Sequence, residues 1–303
     1  MMKKTEPLYS GNKGFIVSMM SDQLRKITEE SSFQFVGRES PLLISTPHAG
    51  VELPSTLIDD YHPSARWSED TDWYIDRLYA SIAEKLNAST LSARWSRFLV
   101  DLNRSAEDQD LYPGQNSTGL FPDRSFAGDP VYQVNKRLSL EQKKKRIHQY
   151  WMPYHHALQT ILEDKRNRFG YAILWEAHSI RSTVPYLFNG TLPHINLGTN
   201  NGQTAPQDLG IKWQTLIHAD GRYLFADNAR FKGGYITRNY ADLTRNIYTI
   251  QLELTQSTYL DESYIKTGQA PNWDEYRANE VRPLLTELIS LTLSCCANQS
   301  HIC

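Results

Sequence analysis

Short apolar runs that end in polar, turn-forming clusters recur along this chain, and they outline its fold. Leu42-Leu43-Ile44-Ser45-Thr46 reads as a buried strand, and Pro47 and Gly50 bracket a turn right after it. His48 therefore falls on a tight loop at a strand end, where open α/β sheets place their ligands. Tyr171-Ala172-Ile173-Leu174-Trp175 is a second such run, and it delivers Glu176, His178 and Ser179 at its end. Residues 90–95 and 98–102 read as further strands, the latter running out into Asp101-Leu102-Asn103-Arg104. Residues 248–254 alternate, with Thr249, Gln251 and Glu253 on one face and Ile250, Leu252 and Leu254 on the other.

Between these runs the apolar period changes to that of a helix. Ile75, Leu78, Tyr79, Ile82 and Leu86 recur at helical spacing, Ser68 is a suitable N-cap, and Asp72 and Asp76 would then share one face. Residues 134–168 read as a helix bent at Pro153, 205–218 as a helix, and 273–293 as a closing amphipathic helix. Residues 106–129 and 193–206 read as loops, and the Gly233-Gly234 pair lets the backbone approach something closely. Strands and helices alternate without an internal repeat, so the pattern predicts one α/β domain, residues 33–303, behind an N-terminal extension at 1–32.

Composition narrows the class without naming it. Hydrophobic residues make up 40% of the chain and the net charge is −2, so no basic footprint for nucleic acid or a membrane surface is present. The sequence carries no apolar run of the length a transmembrane helix needs and no convincing signal peptide, and a cytoplasmic location is expected. The cysteines, Cys295, Cys296 and Cys303, lie in the tail, far from the histidine runs. That excludes a disulfide framework and a thiolate metal site.

Two strand-end histidines far apart in sequence, with carboxylates near both, suggest a metal site assembled by the fold. A hydrolytic zinc centre takes three protein ligands from His, Asp and Glu and keeps a fourth position open. His48 and His178 supply two, and Glu52, Glu69, Asp70, Asp72 and Glu176 are candidates for the third. Glu253, ending an otherwise uncharged strand, suits a cleft better than a core. Arg104, Arg181 and Arg238 each sit beside a strand-end loop, where a guanidinium fork suits carboxylate recognition. His155 and His156 sit mid-helix among aromatics and read as packing groups.

As a set, these segments resemble one family. Ser45-Thr46-Pro47-His48-Ala49-Gly50, Asp70-Thr71-Asp72-Trp73, Ser96-Arg97 with Val100-Asp101-Leu102-Asn103-Arg104, and Leu111-Tyr112-Pro113-Gly114-Gln115 look like N-formylglutamate amidohydrolase. So do Ala177-His178-Ser179-Ile180-Arg181-Ser182, Asn196-Leu197-Gly198-Thr199-Asn200, Phe231-Lys232-Gly233-Gly234 with Thr237-Arg238, and Gln251-Leu252-Glu253-Leu254. The resemblance implies a three-layer α/β/α domain with a mixed, twisted sheet, similar to zinc carboxypeptidases and aspartoacylases. It implies one zinc per chain held by His48, His178 and a carboxylate, with Glu253 as the catalytic acid and base. Val51 stands where the carboxypeptidase pattern has its Glu and Glu52 is one residue late, so Asp72 is favoured, with Asp70 next. Two departures are Glu176, where the family usually has Asp, and Asn239, where it commonly has His. The implied reaction is hydrolysis of N-formyl-L-glutamate, associated with histidine degradation, with Asn103, Arg104, Arg181 and Arg238 as substrate anchors. A zinc deacylase of another N-acyl acidic amino acid and a silent anion-binding homologue are the alternatives.

Overall fold

A computed structural model describes residues 32–109, 117–266 and 268–300; the Leu111–Gln115 motif and most of the N-terminal extension lie outside them. The strands are β1 (Phe33–Val36), β2 (Leu42–Thr46), β3 (Ser89–Ala93), β4 (Ala172–Ile180), β5 (Ile195–Gly198), β6 (Phe225–Asp227) and β7 (Ile247–Thr255). They form one seven-stranded sheet in the order β1-β3-β2-β4-β7-β5-β6. Its centre, β3-β2-β4-β7, is parallel, while β1 and β5 run antiparallel to their inner neighbours, so the sheet is mixed.

The helices are α1 (Ile75–Lys85), α2 (Leu140–Arg146), α3 (Met152–Phe169), α4 (Leu209–Asp220), α5 (Tyr235–Tyr240) and α6 (Glu275–Ser300). Strand parity decides which of them each residue meets. Leu42, Ile44, Ile173, Trp175, Ile250 and Leu252 pack with Leu78 and Ile82 of α1, Trp213 of α4, and Leu285 and Leu288 of α6. Leu43, Ala172, Leu174 and Ile247 face the other way, onto Tyr154, Leu158 and Ile161 of α3 and Ile236 of α5. Three layers result, with β4 and β7 buried along their whole length. Burial on both faces is what makes these central strands so rich in branched and aromatic residues.

Several expected elements differ. The predicted helix from Ser68 begins only at Ile75. Ser68 adopts φ 57° and donates its hydroxyl to the Val51 carbonyl, Thr71 bonds the Gly50 carbonyl, and the Asp72 N–H bonds the His48 carbonyl. Residues 68–74 are thus a turn laid against the His48 loop, and Asp72 and Asp76 do not share a helix face. Residues 98–102 are not a strand: Phe98 packs with Tyr61 and Val131, whereas Val100 and Leu102 join the α3 layer, which takes a turning backbone. The stretch 193–206, read as a loop, contains β5. The helix at 134–168 starts at Leu140 and runs through a π-turn at Ile147–Trp151 into α3. Pro153 supplies no N–H there, and the Gln149 carbonyl accepts from the Ser32 hydroxyl instead.

Candidate active site

The C-terminal ends of β2, β4 and β7 converge on one cleft. Its walls include His48, Asp72, His178, Ser179, Gln251 and Glu253, with Arg97, Asn103 and Arg104 from the loop after β3. On β4, Glu176 and His178 have the same parity as Ala172 and Leu174, so they face the α3 side. On β7, Gln251 and Glu253 lie directly across from them in register. The α3 layer covers the start of these strands with Tyr154 and Leu158, and beyond it the polar ends open into the cleft. Glu176, His178 and Glu253 therefore sit inside their strands rather than past them, which is why all three are buried.

His48, Asp72 and His178 come together, with ligand atoms all within 4.8 Å of one another. His178 Nδ1 lies 2.9 Å from Asp72 Oδ2, and His48 Nδ1 lies 3.9 Å from the same oxygen. The other nitrogen of each ring is held by a carboxylate: His48 Nε2 by Asp101 at 2.7 Å and His178 Nε2 by Glu176 at 2.7 Å. With Nε2 of each ring donating to its own carboxylate, Nδ1 is the nitrogen that can coordinate once a cation displaces its proton, so two imidazole nitrogens and one carboxylate face a common space. This donor set, with each ring oriented by its own carboxylate, fits a divalent ion of the zinc type. The Ser179 N–H donates to Asp72 Oδ2 at 3.1 Å and fixes the carboxylate in place.

The other carboxylates weighed for this position go elsewhere. Glu52 is exposed and pairs with Arg94 at 2.8 Å. Asp70 accepts from the Phe126 N–H and faces Arg181 at 3.5 Å, and Glu69 is buried without joining the histidines. Glu176 reaches its own histidine with one oxygen, and its other oxygen accepts from the Thr237 hydroxyl on α5.

Burial and neighbouring charges shift these groups in different directions. Desolvation, aided by Arg97, lowers the His48 pKa. Burial opposes charge on His178 too, yet Glu176 and Asp72 outweigh it and hold that ring well above its usual range. Asp101 is also buried, but His48 and Arg97 keep its carboxyl well below the usual carboxylate range. Burial, with Asp72 and Glu176 adding repulsion, pushes Glu253 up to about 8 against the pull of His178 and Arg97.

Of the four residues expected to anchor substrate, Asn103 and Arg104 line the cleft, and Arg181 and Arg238 are not among its walls. Asn103 is oriented by the Ile236 N–H at 2.9 Å, and Gly234 lies so close that any side chain there would run into its amide. Arg104 donates to the Thr118 and Asn103 carbonyls. Arg181 pairs with Asp70, and Arg238 donates to the Gly233 carbonyl. The wall residues that went unassigned in the sequence include Arg97, which donates to Asp101 at 2.6 Å, Gln251, which accepts from the Gly234 N–H at 2.6 Å, and Arg230. The Arg97–Asp101 pair was visible as i, i+4 opposite charges, but nothing in the spacing tied it to His48.

Residues 40–260 match the family model described as N-formylglutamate amidohydrolase. An N-formylglutamate deformylase of Pseudomonas putida is 46% identical over 223 residues, 74% of this chain and 83% of that protein. One from Pseudomonas aeruginosa is 43% identical over 257 residues, 84% of this chain and 93% of that protein. Among solved structures, the N-formylglutamate amidohydrolase of Ralstonia eutropha superposes with a TM-score of 0.70 at 21% identity, over 87% of this chain and 98% of that one. A gene product of Agrobacterium tumefaciens gives a TM-score of 0.60 at 16% identity, over 87% of this chain and 95% of that one. At these identities the two structures bear on the fold, which they share with this chain.

Proposed function

This chain belongs to the N-formylglutamate amidohydrolase family, and from that premise we propose that it hydrolyses N-formyl-L-glutamate to formate and L-glutamate. The observation that carries the reading is the meeting of His48, Asp72 and His178 beside Glu253 in one arginine-lined cleft. His48, Asp72 and His178 would hold one divalent ion, zinc being the metal this donor set suits. Bound there, such an ion acidifies water toward neutral pH and polarises an amide carbonyl.

The chain's own groups do the rest. Glu253 takes the proton of the attacking water and returns it to the leaving amine, a task that suits a carboxyl whose hold on a proton is strengthened by burial. Its main-chain carbonyl accepts from Asn196 Nδ2 at 3.2 Å, which ties the end of β7 to β5. Asp101 and Glu176 keep the Nε2 proton on each histidine and aim Nδ1 at Asp72. Asn103 and Arg104 hold the substrate's carboxylate end from the loop after β3, while Arg181 and Arg238 support that wall from behind through Asp70 and Gly233. The reaction would close a histidine degradation route, as the family resemblance implies.

The test is turnover of N-formyl-, N-acetyl- and N-succinyl-L-glutamate by the purified protein. The formyl substrate should lead the other two by at least about 10-fold, the discrimination one extra carbon typically allows. A preference for either larger acyl group would replace deformylation with the corresponding deacylation.

A further inference from the structure

We propose that Gln251 is a further substrate-binding residue, whose side-chain amide donates to the carboxylate nearest the scissile bond. This deepens the deformylase reading and rests on it. Gln251 lines the cleft from β7, two residues before Glu253 and on the same face of the strand. It is only 4% exposed, so the cleft is where it meets anything outside the protein.

One end of the amide is fixed. The Gly234 N–H donates to Gln251 Oε1 at 2.6 Å, which identifies the oxygen and leaves Nε2, with its two hydrogens, on the other side. Among the described residues nothing accepts a hydrogen bond from Nε2. Glu176 stands directly across in register on β4, but its oxygens are taken by His178 Nε2 and the Thr237 hydroxyl. A desolvated donor without an acceptor is costly, and a bound carboxylate supplies one.

The position singles out which carboxylate. Gly234 lies between Gln251 and Asn103, since a Cβ on it would fall 2.3 Å from Asn103 Nδ2. Asn103 is held in the same manner: its oxygen accepts from the Ile236 N–H at 2.9 Å, and its Nδ2 lies 3.1 Å from His178 Nε2. Residues 234–236 thus pin both amide oxygens and leave both nitrogens for the cleft. Arg104, next in the chain after Asn103, supplies the opposite charge. In N-formyl-L-glutamate the α-carboxylate sits on the carbon next to the scissile nitrogen, and the side-chain carboxylate lies beyond two further methylenes. Amides placed beside His178 and Glu253 therefore meet the α-carboxylate.

The experiment measures kcat and KM on N-formyl-L-glutamate, together with metal content, for wild type, Gln251→Glu and Gln251→Met. The first substitution keeps an oxygen for the Gly234 N–H and exchanges the donor for an acceptor. The second keeps the length of the side chain and removes both. KM should rise by about 10-fold in Gln251→Met and by on the order of 10²-fold in Gln251→Glu, where carboxylate would face carboxylate, with metal content unchanged. A role confined to holding the Gly234 loop predicts the reverse order, with Gln251→Glu near wild type and Gln251→Met impaired, and that order would overturn the contact. So would a wild-type KM in Gln251→Met, or a loss in Gln251→Glu that is confined to kcat or comes from lost metal. Wild type inactive on N-formyl-L-glutamate would instead overturn the reaction reading, and the contact with it.

Discussion

Glu253 and His178 stand opposite each other on neighbouring strands, both buried, and their environments prepare them for different work. His178 has two carboxylates against its ring, whereas Glu253 shares its burial with like charges, and its pKa rises to about 8. Exchanging Glu253 for Gln keeps the shape and removes the ability to take a proton. Turnover of N-formyl-L-glutamate should fall by on the order of 10²–10⁴-fold. Metal content should stay at the wild-type level, because Glu253 stands outside the His48–Asp72–His178 group. Near-wild-type turnover would remove Glu253 from the mechanism, and loss of metal would make it a ligand. His48, His178 and Glu253 stood out in the sequence because a polar group at the end of an apolar run breaks the local pattern, whereas Asp72 was one of several carboxylates near the His48 loop and was favoured through the family resemblance. Arg230 did not stand out, since a single arginine in an aperiodic loop looks like any surface cation until the fold puts it on Phe188 and into the cleft.

Elements were most legible where one period ran without interruption. The periodicity of α1 and the alternation of β7 marked those elements, although α1 starts later than its polar lead-in suggested. Residues 68–74 have the composition of a helix start, but their hydroxyls and N–H groups bond the His48 loop, a tertiary choice that propensity cannot express. Gly50 shows the same pressure, since any side chain there would meet the backbone of Arg94 and Trp95. The antiparallel β5 and the edge strands β1 and β6 are at most four residues long, too short to show a period.

His155 on α3 ties three elements together, and its role is open to a pH measurement. Its Nε2 donates to the Leu102 carbonyl at 2.9 Å, its Nδ1 lies 2.8 Å from the Tyr240 hydroxyl on α5, and its ring stacks on Trp151. Burial drives its pKa from 6.5 down to about 3. Between those values the unfolded chain holds a proton that the native chain refuses, so this contribution to stability is complete above the upper value and is lost as the pH falls toward the lower one. From pH 7.5 to pH 5 the loss from this residue should be roughly 2 kcal/mol. Chemical denaturation of wild type and His155→Gln at both pH values checks it. The variant should start less stable and lose less on acidification; an equal loss in both proteins would show that His155 is not the group responsible.

On the scale of the whole molecule, the parallel centre of the sheet brings together residues as far apart in sequence as His48 and Glu253. The sheet order places β2, β4 and β7 side by side, so that three strand ends separated by long stretches of chain open on one side of the α3 layer. Alternation of strands and helices pointed to this α/β class, but strand order depends on crossovers that no local pattern records. No helix among the described residues is long and apolar enough to cross a membrane. If the proposed hydrolysis runs on an ion held by His48, Asp72 and His178, taking that ion away must stop it. Protein stripped with a chelator and then titrated with zinc should show negligible turnover of N-formyl-L-glutamate at the start. Turnover should then rise linearly and level off near about one equivalent per chain, as a single three-ligand site demands. Full turnover by the stripped protein, unchanged by added zinc, would contradict it.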